Sequence, residues 1–129
     1  MPNQTEQRAI TFVKNYLRRK GYTKIEDVQR NRQHNGYDLI ARKNGRKIKI
    51  EVKGCKRPWG IPDPYVTEFD EKKRLVADYL YVVYLIGRTK PKLCAIPRRA
   101  LKPKFIRPKY GYRISGAFKN EENLKKYLK

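Results

Sequence analysis

The segment from Gly36 to Gly54, GYDLIARKNGRKIKIEVKG, constrains this chain more than any other, because its geometry can be worked out from the letters. Lys47 to Val52 alternate between charged and apolar residues, the period of a strand with one buried face. Asn44-Gly45 is a preferred two-residue hairpin turn, since both of its residues tolerate positive φ. With that turn Lys43 faces Arg46, and continuing the register sets Asp38 directly opposite Glu51, their Cβ atoms roughly 4.5–5.5 Å apart. Leu39, Ala41, Ile48, Ile50 and Val52 then share the other face, so one apolar set is buried and Lys53 joins the carboxylate side. Two facing carboxylates repel, which a sheet built only for stability avoids. A bound cation would account for them.

A length of 129 residues fits a single domain spanning 1–129. The formal charge of +21, from 33 Lys+Arg against 12 Asp+Glu, is extreme for that size and calls for a polyanionic partner. Nucleic acid comes first, an anionic membrane surface second. Hydrophobic residues at 39% are enough for a folded chain rather than a basic tail. No apolar run approaches the roughly 18–20 residues a bilayer requires, and the N-terminus lacks a signal-peptide layout, so a cytoplasmic protein without a membrane role is expected. Cys55 and Cys94 are far apart and in no C-x-x-C, which argues against a zinc ribbon or a disulfide framework and for two reduced, structural thiols.

Along the chain, Thr5 can cap a helix whose stripe is Ala9, Ile10, Val13, Tyr16 and Leu17 and which ends at Gly21. Glu6 continues that inward stripe; it reads equally as a first-turn acid favoured by the helix dipole or as a third site carboxylate. A first strand is expected between Tyr22 and Arg30, then a turn at Gln33 to Gly36 holding His34, the one histidine, which is read as solvated. After Lys53 the prolines and glycines of GCKRPWGIPDPY forbid regular structure. Trp59 in this loop, with Lys56 and Arg57 beside it, could stack on a base or pack against the domain. A helix is expected from Glu68 to about Ala77, capped by Thr67. Asp78 to Gly87, DYLYVVYLIG, reads as a central strand covered on both faces, and Lys92 to Ile96 as a shorter one. Asn120 to Lys129 closes the chain as a short helix with Leu124, Tyr127 and Leu128 inward. This order makes the fold class α/β.

No acid occurs between Tyr79 and Asn120, while Arg98, Arg99, Lys102, Lys104, Arg107, Lys109 and Arg113 cluster there, interleaved with Phe105, Tyr110 and Tyr112. A charge run is ordinarily a solvated face, but one without counter-charges has the makings of a phosphate-binding arm.

Asp38 followed thirteen positions on by Glu51-x-Lys53 resembles the motif of the PD-(D/E)xK nuclease superfamily, and the helix, motif hairpin, helix and apolar strand resemble its core order. Tyr37 stands where that motif usually has proline. GYDLIAR, IKIEVKG and EFDEKKRLVADYLYVVYL are similar to the NO VEIN C-terminal type; archaeal Holliday junction resolvases share the size, the acid spacing and an early helix acid, matched by Glu6. The resemblance implies a restriction-endonuclease-like mixed central sheet flanked by helices and a Mg²⁺-dependent endodeoxyribonuclease, with Mn²⁺ able to substitute. It implies Asp38, Glu51 and Lys53 as catalytic residues, and Asp38, Glu51, the Val52 carbonyl and Glu6 as metal ligands. DNA, branched DNA included, would be the substrate, and paired cuts would call for a homodimer. The alternative is a non-catalytic basic nucleic-acid-binding protein with a nuclease-like fold.

Overall fold

A five-stranded mixed sheet forms the centre of the computed structural model, which describes residues 4–28, 36–62, 69–85, 90–108 and 112–129, with the backbone alone at 108, 112 and 113. Its strands lie in chain order: β1 (Thr23–Asp27), β2 (Leu39–Lys43), β3 (Arg46–Cys55), β4 (Tyr79–Tyr84) and β5 (Lys92–Pro97). Neighbours are antiparallel except β3 and β4, which run parallel. The hairpin register is the expected one, from Lys43 against Arg46 to Leu39 against Ile50. Asn44 (φ 52°) and Gly45 (φ 77°) both take the positive φ that this turn demands. β4 is buried nearly throughout, as its unbroken apolar sequence requires.

The helix α1 (Gln4–Arg19) covers one face of the sheet. Its Ala9, Ile10, Val13 and Leu17 pack on Leu39, Ala41, Ile50 and Val52, so the 3.6-residue stripe of the helix meets the two-residue alternation of the hairpin. Thr5 lies inside the first turn rather than at the cap. Close packing there depends on Gly54, where a Cβ would stand 2.9 Å from the Thr5 carbonyl oxygen and 3.2 Å from the Ala9 Cβ. That contact fixes the start of α1 over the end of β3.

Short segments, not a long helix, cover the other face. Phe69, Leu75, Leu101, Ile106, Ile114, Phe118 and Leu124 form this core with Leu80, Val82 and Ile96 of the sheet. The helix expected from Glu68 to Ala77 is absent from its described part, residues 69–77. Asp70 explains why: its carboxylate accepts from the backbone N–H groups of Lys72 (2.9 Å) and Arg74 (3.0 Å), closing a tight turn that bridges Phe69 to Leu75. Side chains of this type compete with helix hydrogen bonds for the backbone. A small antiparallel pair, β6 (Ile106–Pro108) and β7 (Tyr112–Ile114), precedes α2 (Glu121–Leu124) and a 3-10 turn (Lys125–Tyr127). Leu128, expected inward, is 38% exposed because its backbone leaves the helical path to bridge Cys94. Both Cys55 and Cys94 are buried free thiols.

Candidate functional site

The hairpin ladder ends one step before the motif acid. Continued regularly, it would give the Val52 N–H the Tyr37 carbonyl as acceptor; instead the Asp38 carboxylate takes it, Oδ2 at 2.8 Å. The Asp38 N–H donates to the Ile50 carbonyl (2.8 Å), and the Asp38 carbonyl accepts from the Val28 N–H (2.9 Å). Asp38 therefore flanks Glu51 from both sides through Ile50 and Val52, rather than facing it as a ladder partner. Of the turn expected at Gln33 to Gly36 only Gly36 is among the described residues, and its φ of 81° is one that glycine adopts without strain.

Among the described residues, β2 pairs with β3 no further than Leu39 against Ile50. The N–H and C=O of one strand residue point to the same side, so the Val52 carbonyl points into the gap in which Asp38 lies. Glu51 and Lys53 alternate with Ile50 and Val52 and so belong to the face away from α1. Lys53 sits opposite Val82, and Glu51 opposite Leu80, in the parallel pairing with β4.

Burial separates these residues from every other charge described. Asp38, Glu51 and Lys53 are 6%, 4% and 4% exposed, and among the described residues no other charged side chain is buried. Burying an ion costs several kcal/mol unless partners compensate it. Glu6 is half-buried at the start of α1, and burial raises its carboxyl above the ordinary range. The Lys53 ammonium opposes that rise and the Asp38 carboxylate adds to it, so Glu6, Asp38 and Lys53 share one electrostatic neighbourhood. The carboxylates and the Val52 carbonyl are a set of hard oxygen donors, the kind that Mg²⁺ takes.

The other expected contact residues are dispersed. Lys56 and Arg57 are exposed just beyond the end of β3. Trp59 is half-buried and packs on Tyr84 with ring centroids 5.9 Å apart. Phe105 packs on Phe118 with ring centroids 5.3 Å apart and planes tilted by 57°, and the Lys104 ammonium lies 5.1 Å from the centre of its ring. Arg98 ties the end of β5 to the segment before β4, donating to the carbonyls of Val76 and Ala77 (both 2.9 Å) and pairing with Asp78 at 3.2 Å. Arg99, Lys102, Lys104 and Arg107 are exposed, and Arg107 pairs with Arg113 in the β6–β7 ladder. His34, Lys109 and Tyr110 fall outside the described residues, and the side chains of Tyr112 and Arg113 are not described.

The family model for the C-terminal region of protein NO VEIN matches residues 5–96, well over half of the chain. The chain belongs to the NO VEIN C-terminal family. No curated protein and no solved structure gives a significant match. The family match takes in Glu6, Asp38, Glu51 and Lys53 and stops before Arg98, so the buried charges belong to the shared region and the basic arm lies beyond it.

One concave feature is not apparent from the sequence. Lys43, Arg46 and Lys47 at the hairpin tip line a groove of about 730 Å³ together with Arg99 and Lys102. The run RKNGRK around the turn was the available signal, but only the fold reveals that the end of β5 lies beside it. Among the described residues no helix is long and apolar enough to cross a membrane.

Proposed function

We propose that this protein is a divalent-metal-dependent endonuclease acting on DNA, with a restriction-endonuclease-like site at the parting of β2 and β3. The observation that carries this reading is the burial of Asp38, Glu51 and Lys53 and of no other charge among the described residues. A structural role would not select the three motif positions for so costly an environment. Asp38, Glu51 and the Val52 carbonyl would hold the ion, with Glu6 an auxiliary ligand from α1. A bound Mg²⁺ supplies acidification of water and neutralisation of phosphate charge. Asp38 is held in place by its three backbone hydrogen bonds. Lys53 would orient the attacking water and stabilise charge developing on the scissile phosphate, from a position that the buried strand keeps rigid.

Support for DNA as partner comes from the charge of +21 and the exposed bases beyond β5. A second reading, a non-catalytic nucleic-acid-binding protein, is favoured by one observation: among the described residues no group of three or more His, Cys, Asp or Glu is placed to hold a metal ion. A cleavage panel of duplex, single-stranded and branched DNA and of RNA, with Mg²⁺ and with EDTA, separates the two. The nuclease reading expects Mg²⁺-dependent cutting that disappears in Asp38→Asn while binding persists. Binding without cutting on all substrates would establish the second reading. Preference for four-way junctions, with symmetric nicks from a dimer, would mark a resolvase.

A further inference from the structure

The groove at the hairpin tip has no place in the proposed chemistry, yet its construction is specific. Antiparallel pairing of β4 with β5 returns Pro97 to the end of the sheet where β4 starts at Tyr79, and parallel pairing of β3 with β4 puts the hairpin tip at that same end. Two basic segments far apart in sequence, 43–47 and 98–102, thereby become the walls of one groove. Asp78 is the acid in its lining, and it is already committed: Oδ2 accepts the Lys49 N–H at 2.8 Å, and Oδ1 pairs with Arg98. Arg74, also in the lining, pairs with Asp70 at 3.2 Å. Lys43, Arg46, Lys47, Arg99 and Lys102 are exposed, and no carboxylate among the described residues pairs with them. Uncompensated cations converging on a concavity raise the local concentration of polyanions. Tyr22 and Tyr79 in the lining add ring surface beside those charges.

We propose that this groove is a second nucleic-acid contact, seating the phosphate backbone of a strand at a fixed distance from the buried Asp38, Glu51 and Lys53. The proposal rests on the nucleic-acid part of the functional reading but not on its cleavage chemistry. Arg46 and Glu51 are five residues apart on one strand, or about 17 Å at roughly 3.3 Å per residue. A strand advancing roughly 3.4 Å per nucleotide would then span about five nucleotides between groove and buried site. The groove thus sets a register for the substrate and not only an affinity.

The test is fluorescence anisotropy with labelled duplex and single-stranded oligonucleotides in EDTA, over a KCl series. Two groove pairs, Arg46→Glu/Lys47→Glu and Arg99→Glu/Lys102→Glu, are compared with Lys125→Glu/Lys126→Glu. The last pair carries the same charge change on the turn after α2, which docks at the opposite end of β5 through Leu93 and Cys94. Each groove pair should lower the salt slope by about 1.8 for the duplex and about 1.4 for the single strand, and the affinity at 0.1 M salt roughly 60-fold and 25-fold, from about 0.9 and 0.7 per phosphate contact. The control pair should change affinity by less than about threefold, as befits exposed charges screened beyond about 10 Å. Equal losses in groove and control variants, no loss in either groove pair, or no binding by the unaltered protein would overturn the groove. Failure of cleavage alone would leave the groove standing, and failure of the groove alone would leave the nuclease site standing.

Discussion

Asp38 carries two separable duties, and two substitutions pull them apart. Its carboxylate accepts the Val52 N–H at 2.8 Å in a site only 6% exposed, and its charge adds to the electrostatic load on Glu6. Asp38→Ala deletes the acceptor and strands a buried backbone N–H, at a cost of about 1–3 kcal/mol. For a domain of this size, one kcal/mol shifts the melting temperature by about 4 °C, so Asp38→Ala should melt some 4–12 °C lower. Asp38→Asn keeps a carbonyl oxygen where Oδ2 stood and removes a negative charge near Glu6. It should melt within about 2 °C of the unaltered protein, or above it. Thermal unfolding followed by circular dichroism in EDTA makes the comparison free of metal. Equal destabilisation by the two variants would refute the separation, because the charge itself would then be holding the fold together.

Three further outcomes follow from the same structure. Lys53→Met should lower cleavage by a factor on the order of 10²–10⁴ while leaving DNA affinity within about threefold, since Lys53 is buried and adds little to a phosphate-binding surface; parallel loss of both would contradict its role. Gly54→Ala pushes a Cβ against the Thr5 carbonyl, so urea denaturation should register a loss of about 1–3 kcal/mol, and an unchanged midpoint would mean that α1 does not rest on β3 as described. Burial holds the Cys94 thiol up at about 11 against 9.0 for an ordinary one. Below pH 9 both folded and unfolded chains keep that proton. Between pH 9 and 11 only the unfolded chain loses it, so stability should fall by about 1.4 kcal/mol per pH unit through this group. Urea midpoints across that range should fall less steeply in Cys94→Ala; identical slopes would exclude Cys94 as the cause.

Elements whose rules are local could be read from the letters. The Asn44-Gly45 turn sets the hairpin register through Leu39 and Ile50, the stripe from Ala9 to Leu17 describes the buried face of α1, and the apolar run after Asp78 forms β4, a buried strand between two neighbours. Where a side chain replaced a backbone partner, the reading failed. Asp70 closes a turn where a helix capped by Thr67 is expected, and the Asp38 carboxylate accepts the Val52 N–H where the hairpin register sets Asp38 opposite Glu51. Non-local meetings were also out of reach. Trp59 against Tyr84, and the hairpin tip beside Arg99 and Lys102, depend on how distant strands order themselves in the sheet. Asp38, Glu51 and Lys53 could be singled out from the letters because they lie on one hairpin, whereas the nearness of Glu6 to Asp38 and Lys53 depends on how the start of α1 packs over the end of β3.

The reading of the buried charges stands or falls on whether the folded protein holds a divalent cation between Asp38 and Glu51. Calorimetric titration with Mn²⁺ measures that without any substrate. The unaltered protein should take up Mn²⁺ saturably, Asp38→Asn and Glu51→Gln should lose the binding heat while keeping their fold, and Mg²⁺ should compete. Mn²⁺ uptake by both variants equal to that of the unaltered protein, or no uptake by any of the three, would contradict the account.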